Sequence, residues 1–166
     1  MRLTDYTDYS LRVLLYLAVR GEGLSTIQDI SHAYGISRNH LMKVVQQLGE
    51  RGWVETVRGR NGGLRLAGQT RALTVGEVVR STESDFALVG CMPDQHGERR
   101  PCVITPQCRL REALVAASNA FFAELDRYTI GEVARPHGPL AALLGLGVVI
   151  PLVPAAPAPA GSAALS

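Results

Sequence analysis

Apolar residues recur at helical spacing over residues 4–19, where Leu11, Leu14, Leu15 and Ala18 mark one face. Thr4 or Thr7 caps this segment, because a hydroxyl placed there accepts a bond from a backbone N–H that lacks a helical partner. Gly21 and Gly23 close it. A shorter helix is predicted over 26–34, with Ile27, Ile30 and Ala33 turned inward. Gly35 ends it in the left-handed backbone conformation that only a residue without Cβ adopts freely. Ile36 is buried in the turn, and Ser37 caps a second helix over 38–51. Its inner stripe is Leu41, Val44, Val45 and Leu48, spaced i, i+3, i+4, i+7. Two short helices joined by a tight glycine turn make a helix-turn-helix.

The pattern then changes period. Residues 53–58 alternate as a strand and residues 63–67 can pair back, across the turn Gly59-Arg60-Asn61-Gly62. A hairpin directly after a helix-turn-helix reads as a wing. Residues 74–83 return to helix, capped by Thr74, with Val75, Val78 and Val79 inward. Phe86 to Val89 is a short apolar link. Thr105-Pro106 is expected to open a long helix reaching about Tyr128, with a hydroxyl cap and proline at its first position. Its stripe is Leu110, Leu114, Ala117, Phe121 and Leu125, and Ala113, Ala116, Ala117 and Ala120 permit close approach of another helix. We read it as a dimerisation helix. Thr129 caps a last turn, Ile130 to Val133. The fold class is therefore mostly α with a small β-hairpin. It divides into a winged helix-turn-helix DNA-binding domain (1–72), a cysteine loop with the long helix (73–135), and a Pro/Ala-rich tail (136–166). Within the tail, Leu140 to Leu146 can make a helical turn packed on the body, and the remainder is expected to be disordered.

Polar chemistry concentrates on the second helix and the wing. Ser37, Arg38, Asn39, His40 and Lys43 present types that reach base edges and phosphates in a major groove. Arg58, Arg60, Asn61 and Arg65, on or beside the wing, suit phosphates or a narrow minor groove. The net charge of +2 conceals an asymmetry. Residues 1–71 carry ten basic and six acidic side chains, residues 72–135 seven and nine, and residues 136–166 none. No apolar run reaches the roughly 18–20 residues that span a bilayer. No basic leader precedes the first apolar run, so a cytoplasmic protein without a membrane role is expected. An enzyme is not: there is no phosphate-cradling glycine loop and no Ser-His-Asp set, and His32, His40, His96 and His137 are scattered.

Three cysteines, Cys91, Cys102 and Cys108, lie within one short stretch. An odd, local set argues against a secreted disulfide scaffold and for metal-binding or reactive thiols. Thiolates are soft donors, suited to iron–sulfur clusters, zinc or copper(I). Cys108, placed in the first turn of the long helix, would have its thiolate favoured by the helix dipole. No CxxC pair of the zinc-ribbon kind is present, yet His96 could complete a Cys3His zinc site. Iron–sulfur, zinc and redox thiols all remain open on spacing alone.

Four motifs in order now carry a resemblance: residues 1–12 (MRLTDYTDYSLR), 34–41 (YGISRNHL), 57–66 (VRGRNGGLRL) and 102–110 (CVITPQCRL). Over residues 1–135 the chain resembles the winged-helix family of iron–sulfur repressors that contains the NsrR-type nitric-oxide sensors and the IscR-type cluster-assembly regulators. The nitric-oxide-sensing branch is the nearer match. The resemblance implies an iron–sulfur cluster on Cys91, Cys102 and Cys108, with 4Fe-4S favoured over 2Fe-2S. It also implies a homodimer on palindromic operator DNA, with nitric oxide as the signal that ends repression. An iron- or cluster-status regulator with a 2Fe-2S centre is the alternative within the same fold. The first inter-cysteine gap is longer here than the family's usual one. The assembly regulators carry a histidine three residues after the last cysteine; here it is Arg111, whose guanidinium has no lone pair to donate. The nitric-oxide sensors imply a fourth ligand instead, Asp8 contributed by the other subunit. Within its own helix Asp8 is also placed to pair with Arg12, four residues on.

Overall fold

The computed structural model describes residues 2–94 and 96–147. Helix α1 (Asp5–Arg20) is capped by Thr4, whose hydroxyl accepts from the Thr7 backbone N–H. It packs on several other elements, so it is buried on more than the single face that sequence periodicity marked. Val13, Leu14, Leu17 and Ala18 form its core, whereas Leu11 and Leu15, expected inside, are half-buried. Helix α2 (Ile27–Tyr34) begins with a reciprocal cap between Thr26 and Asp29 and ends at Gly35 in the left-handed conformation (φ 66°). Of its three expected inward residues only Ile30 is fully buried, and Ile27 and Ala33 pack at the edge. Helix α3 (Arg38–Glu50) is capped by Ser37 and buries Leu41, Val44, Val45 and Leu48, the whole predicted stripe.

Strands β1 (Val54–Val57) and β2 (Gly63–Leu66) pair antiparallel, with Glu55 opposite Arg65. Each is shorter than the sequence pattern suggested. Gly59 supplies a positive φ (120°), and a Cβ on Gly62 would collide with the Val57 carbonyl oxygen, so both glycines are needed to close the turn. The hairpin is tied to the body by Ser25, which exchanges both backbone bonds with Leu64 (3.0 and 2.7 Å).

Helix α4 (Val75–Thr82) has a Thr74/Glu77 reciprocal cap and buries Val78 and Val79; Val75 is only partly covered. Several expectations for the next helix are corrected. Thr105–Gln107 is a separate 3-10 turn with no side-chain cap, and α5 (Arg109–Leu125) starts only after it. Cys108 is the N-cap of α5 rather than part of its first turn. The helix stops at Leu125, short of Tyr128. No residue of α5 is buried: Leu114, Phe121 and Leu125 are half-covered, while Leu110 and Ala117, expected in the stripe, are exposed. The helix packs on α4 through Arg80, which lies over the Phe122 ring (4.5 Å to the centroid) and pairs bidentately with Asp126 at the end of α5 (2.8 and 2.6 Å), while Phe86, in the link after α4, meets Phe122 edge-on (4.7 Å between centroids).

Thr129 caps α6 (Ile130–Val133), whose Ile130 reaches the core. The helical turn expected over Leu140 to Leu146 is found, and it begins a little earlier, so residues 136–139 are ordered with it rather than disordered. Helix α7 (His137–Leu143) forms there, and Leu140, Ala141, Leu144 and Leu146 pack against the core. The apolar spacing in this stretch outweighs its Pro/Gly-rich composition. The remainder of the tail, 148–166, lies outside the described residues. No helix of the described residues is long and apolar enough to cross a membrane.

Candidate DNA-reading face and thiol loop

The Gly35 turn and the four-residue core stripe fix which side of α3 faces outward. Ser37, Arg38, Asn39, His40 and Lys43 are all exposed. Ser37 spends its hydroxyl on the helix cap (3.4 Å from the His40 N–H). His40 lies against Tyr9 of α1 (6.1 Å between ring centroids, 27° between planes), a support that periodicity does not reveal. On the wing, Arg58, Arg60 and Asn61 are exposed, and Arg58 and Arg60 have no ion-pair partner among the described residues. Arg65 differs: the strand register sets it opposite Glu55, and the two side chains pair at 2.7 Å. The four-residue turn read from the sequence would have set Arg65 opposite Thr56; the connection runs over residues 58–62 and shifts the register by one.

Asp8 lies on the outer side of the first turns of α1, where its carboxylate accepts both bonds from Arg12 Nε (2.9 and 3.0 Å). That hydrogen bond, more than the accompanying charge, raises the Arg12 pKa. The guanidinium also stands 5.6 Å from the Tyr34 ring centroid, at the end of α2. Burial pushes the Tyr34 hydroxyl up to about 12, and its oxygen is buried with no hydrogen-bond partner. The start of α1 is clamped to the end of α4. Glu83 accepts from the Thr4 N–H (2.6 Å) and hydroxyl (3.1 Å), and Thr7 donates to Thr82 (2.9 Å) in a buried hydroxyl pair. Nothing in the sequence pattern singles out these contacts.

The three cysteines are free thiols. Cys91 sits in a turn closed by Met92 N–H to Val89 carbonyl (2.9 Å), and the loop is pinned by Arg100 N–H to Gly90 carbonyl (2.6 Å). Cys91 and Cys102 line one concavity of about 370 Å³, together with Arg99, Arg100 and Pro101. Cys108 stands outside it, its sulfur accepting the Arg111 backbone N–H at 3.4 Å. Among the described residues no three His, Cys, Asp or Glu side chains converge on a point where a metal ion could sit, so Cys91, Cys102, Cys108 and Asp8 are not gathered. The donor chemistry nonetheless suits an anionic sulfur-rich group. None of the three thiols is in a disulfide, Cys108 accepts a helix N-terminal N–H, and Arg111 Nε is a buried donor lacking any acceptor.

A helix-turn-helix with a basic wing and a polar, exposed second helix defines a DNA-binding protein of the winged-helix class. Comparison with known proteins places it more narrowly. The Rrf2 family, described as iron-dependent transcriptional regulators, matches residues 3–136, and the chain belongs to that family. It is 48% identical over 134 residues to the HTH-type transcriptional regulator NsrR of Bacillus licheniformis, covering 80% of this chain and 92% of that protein. It is also 48% identical to the regulators of the same name in Bacillus subtilis (81% and 91% covered) and Geobacillus kaustophilus (87% and 97%). Among solved structures, CymR, the global cysteine regulator of B. subtilis, superposes with a TM-score of 0.64 at 24% identity, covering 81% of this chain and 96% of that one. T. potens IscR superposes with 0.60 at 22% identity, covering 80% and 85%. The chain is thus a transcriptional regulator of the Rrf2 family with the winged-helix fold.

Proposed function

We propose that this protein is a cytoplasmic transcriptional repressor that senses nitric oxide through an iron–sulfur cluster, of the 4Fe-4S form, and works as a homodimer on palindromic operator DNA. The observation that carries the reading is the set of three free thiols on the single connection between the DNA-binding domain and α5, in a chain of the iron-dependent Rrf2 family. Cys91, Cys102 and Cys108 would hold the cluster, with Asp8 of the partner subunit as fourth ligand. The bound cluster supplies iron sites open to attack by nitric oxide, most readily where a hard carboxylate holds a soft centre.

This chain's own residues do the rest. The Arg111 backbone N–H favours negative charge on Cys108. The exposed alanine side of α5, with Ala113, Ala116, Ala117 and Ala120, faces the second copy. Asp8 exchanges Arg12 for a ligand across the dimer, which couples the thiol loop to α1 and, through Tyr9 and Tyr34, to both helices of the partner's helix-turn-helix. Each subunit offers Ser37, Arg38, Asn39, His40 and Lys43 to a major groove and Arg58, Arg60, Asn61 and Arg65 to the flanking backbone. A two-fold dimer reads half-sites about 34 Å apart, or a multiple of that. Loss of the tie between subunits disturbs this spacing, and a 100-fold change in operator affinity needs only about 2.8 kcal/mol.

The test is anaerobic purification with a visible spectrum and native mass spectrum, followed by operator binding before and after nitric oxide. Cluster absorption, a four-iron mass and release of DNA on nitric oxide are expected, and Cys102→Ala should lose all three. A two-iron mass with release on iron depletion would favour the status regulator, and iron-free protein with unchanged DNA binding would refute both.

A further inference from the structure

The exposed side chains of α3 are polar with one exception among the described residues: Met42, which is 49% exposed. The exception lies on the outward side of the helix, away from the buried Leu41, Val44, Val45 and Leu48. At 3.6 residues per turn, Met42 follows Arg38 by one turn and precedes Gln46 by another, so the three stand in one row. Asn39, three residues before Met42, borders the same row. Gln46 already has a partner, since its amide donates to Glu50 (3.0 Å). Met42 has no hydrogen to donate, and its thioether is a weak acceptor.

A single exposed apolar side chain on a solvated surface calls for no explanation. Its place on this helix does, because the N-terminal part of a recognition helix is what meets base edges. In the major groove the one apolar substituent that a base pair displays is the thymine 5-methyl group. An unbranched side chain with three rotatable bonds adapts to a methyl that it meets. Pressed instead on a cytosine amino group or a guanine oxygen, it leaves a polar group buried without a partner, which costs binding. We propose that Met42 reads a thymine 5-methyl group in each operator half-site, as a specificity-determining residue beside Arg38, Asn39 and Lys43. The proposal rests on the reading of α3 as the base-contacting helix. Met42 then adds sequence preference without charge: covering one methyl is worth about fourfold in affinity, and two half-sites about fifteenfold.

Operator duplexes in which one symmetry-related pair of thymines is replaced by deoxyuridine lose only the two methyl groups. Fluorescence anisotropy with the anaerobically purified protein should find one such position where binding weakens about fifteenfold while the salt slope stays the same. Met42→Ala should bind the thymine operator about as weakly as the parent binds that uridine duplex, and should no longer distinguish the two. Met42→Leu, still apolar, should keep the distinction. Alanine favours helix and the site is exposed, so Met42→Ala should unfold at the parent temperature. With cytosine in place of that thymine the parent should bind more weakly still, and 5-methylcytosine should restore about fifteenfold over cytosine. If no uridine position costs binding, or if each costs Met42→Ala as much as the parent, the assignment is overturned. Arg38→Ala and Asn39→Ala separate the two levels of the argument. If both prefer operator over unrelated DNA as strongly as the parent, the base-reading face is refuted and Met42 falls with it; if they lose that preference while the methyl effect ignores residue 42, the face stands and Met42 alone is refuted.

Discussion

Arg60 and Arg65 stand on the same hairpin, carry the same charge and are both exposed, yet removing them should have unequal consequences. Arg65 is already paired with Glu55 at 2.7 Å, whereas Arg60 has no ion-pair partner among the described residues. A phosphate that binds Arg60 gains a whole free cation; one that binds Arg65 must compete with a carboxylate. In a dimer, Arg60→Ala removes two phosphate contacts. At about 0.9 released counterions per contact, the slope of log K against log salt becomes shallower by about 1.8, and at ~0.1 M salt affinity falls by about 60-fold. Arg65→Ala removes two cations already neutralised and leaves two exposed Glu55 carboxylates, so the slope should change little while affinity drops uniformly and modestly. Fluorescence anisotropy with a labelled operator duplex, from about 50 to about 300 mM salt, reads both quantities. An unchanged slope for Arg60→Ala, or a larger slope change for Arg65→Ala, would show that the wing does not meet the backbone as argued.

Leu41→Ala should destabilise the DNA-binding domain by about 2–5 kcal/mol, because Leu41 is fully buried under α3; a chemical-denaturation midpoint within error of the parent would contradict the packing described. Tyr34 has a folded pKa raised to about 12 from 10 by burial, so its contribution is intact below pH 10 and lost as pH rises toward 12. Denaturation at several pH values should show stability falling by about 2 kcal/mol across that window, and Tyr34→Phe should remove that component of the loss. Since the hydroxyl has no partner, Tyr34→Phe should cost nothing at neutral pH; a loss above about 1 kcal/mol there would mean the oxygen is bonded after all. Amides of residues 91–104 should exchange much faster than those of α3 in iron-free protein and slow on cluster loading; loop exchange that ignores iron would sink the assignment of the thiols.

The helix-turn-helix was readable because every signal that specifies it is local. Gly35 needs a positive φ, Ser37 caps the helix one residue after the buried Ile36, and Leu41 to Leu48 repeat at 3.6 residues. The wing was readable for the same reason, through the glycines of its turn. Elements whose environment is set by distant neighbours were read less well. Helix α1 touches partners on several sides, so its buried set exceeds one stripe and includes Thr7 and Ser10. Thr105-Pro106 carries the sequence signature of a helix start, but the chain makes one 3-10 turn there and breaks. The cap passes to the sulfur of Cys108, a weak acceptor that no capping preference would choose. The start of the tail was readable from its leucines: Leu140 and Leu144, four residues apart, pack against the core with Ala141 and Leu146, as their spacing suggested, whereas the Pro/Gly-rich composition pointed the other way for residues 136–139.

The thiol loop obeys a different rule from either group. Between Gly90 and Thr105 the chain buries little: among the described residues Met92 is its one buried side chain, Val103 is 97% exposed and Ile104 58%. A segment that contributes so little to a hydrophobic core cannot fix side-chain positions to the few tenths of an ångström that coordination needs. On the proposed reading, its order would come from the cluster it holds, as in small metal sites where ligation and folding are one equilibrium. Sequence therefore discloses the donors, which are chemistry, and the scaffold discloses where the loop is anchored, at Arg100 and at Cys108. On that reading, their convergence would be a property of the loaded protein. The same coupling is what a sensor of this design requires: a loop held in shape by its own core would keep α5 and the DNA-binding domain in register whether or not the ligand were intact, and no signal could pass.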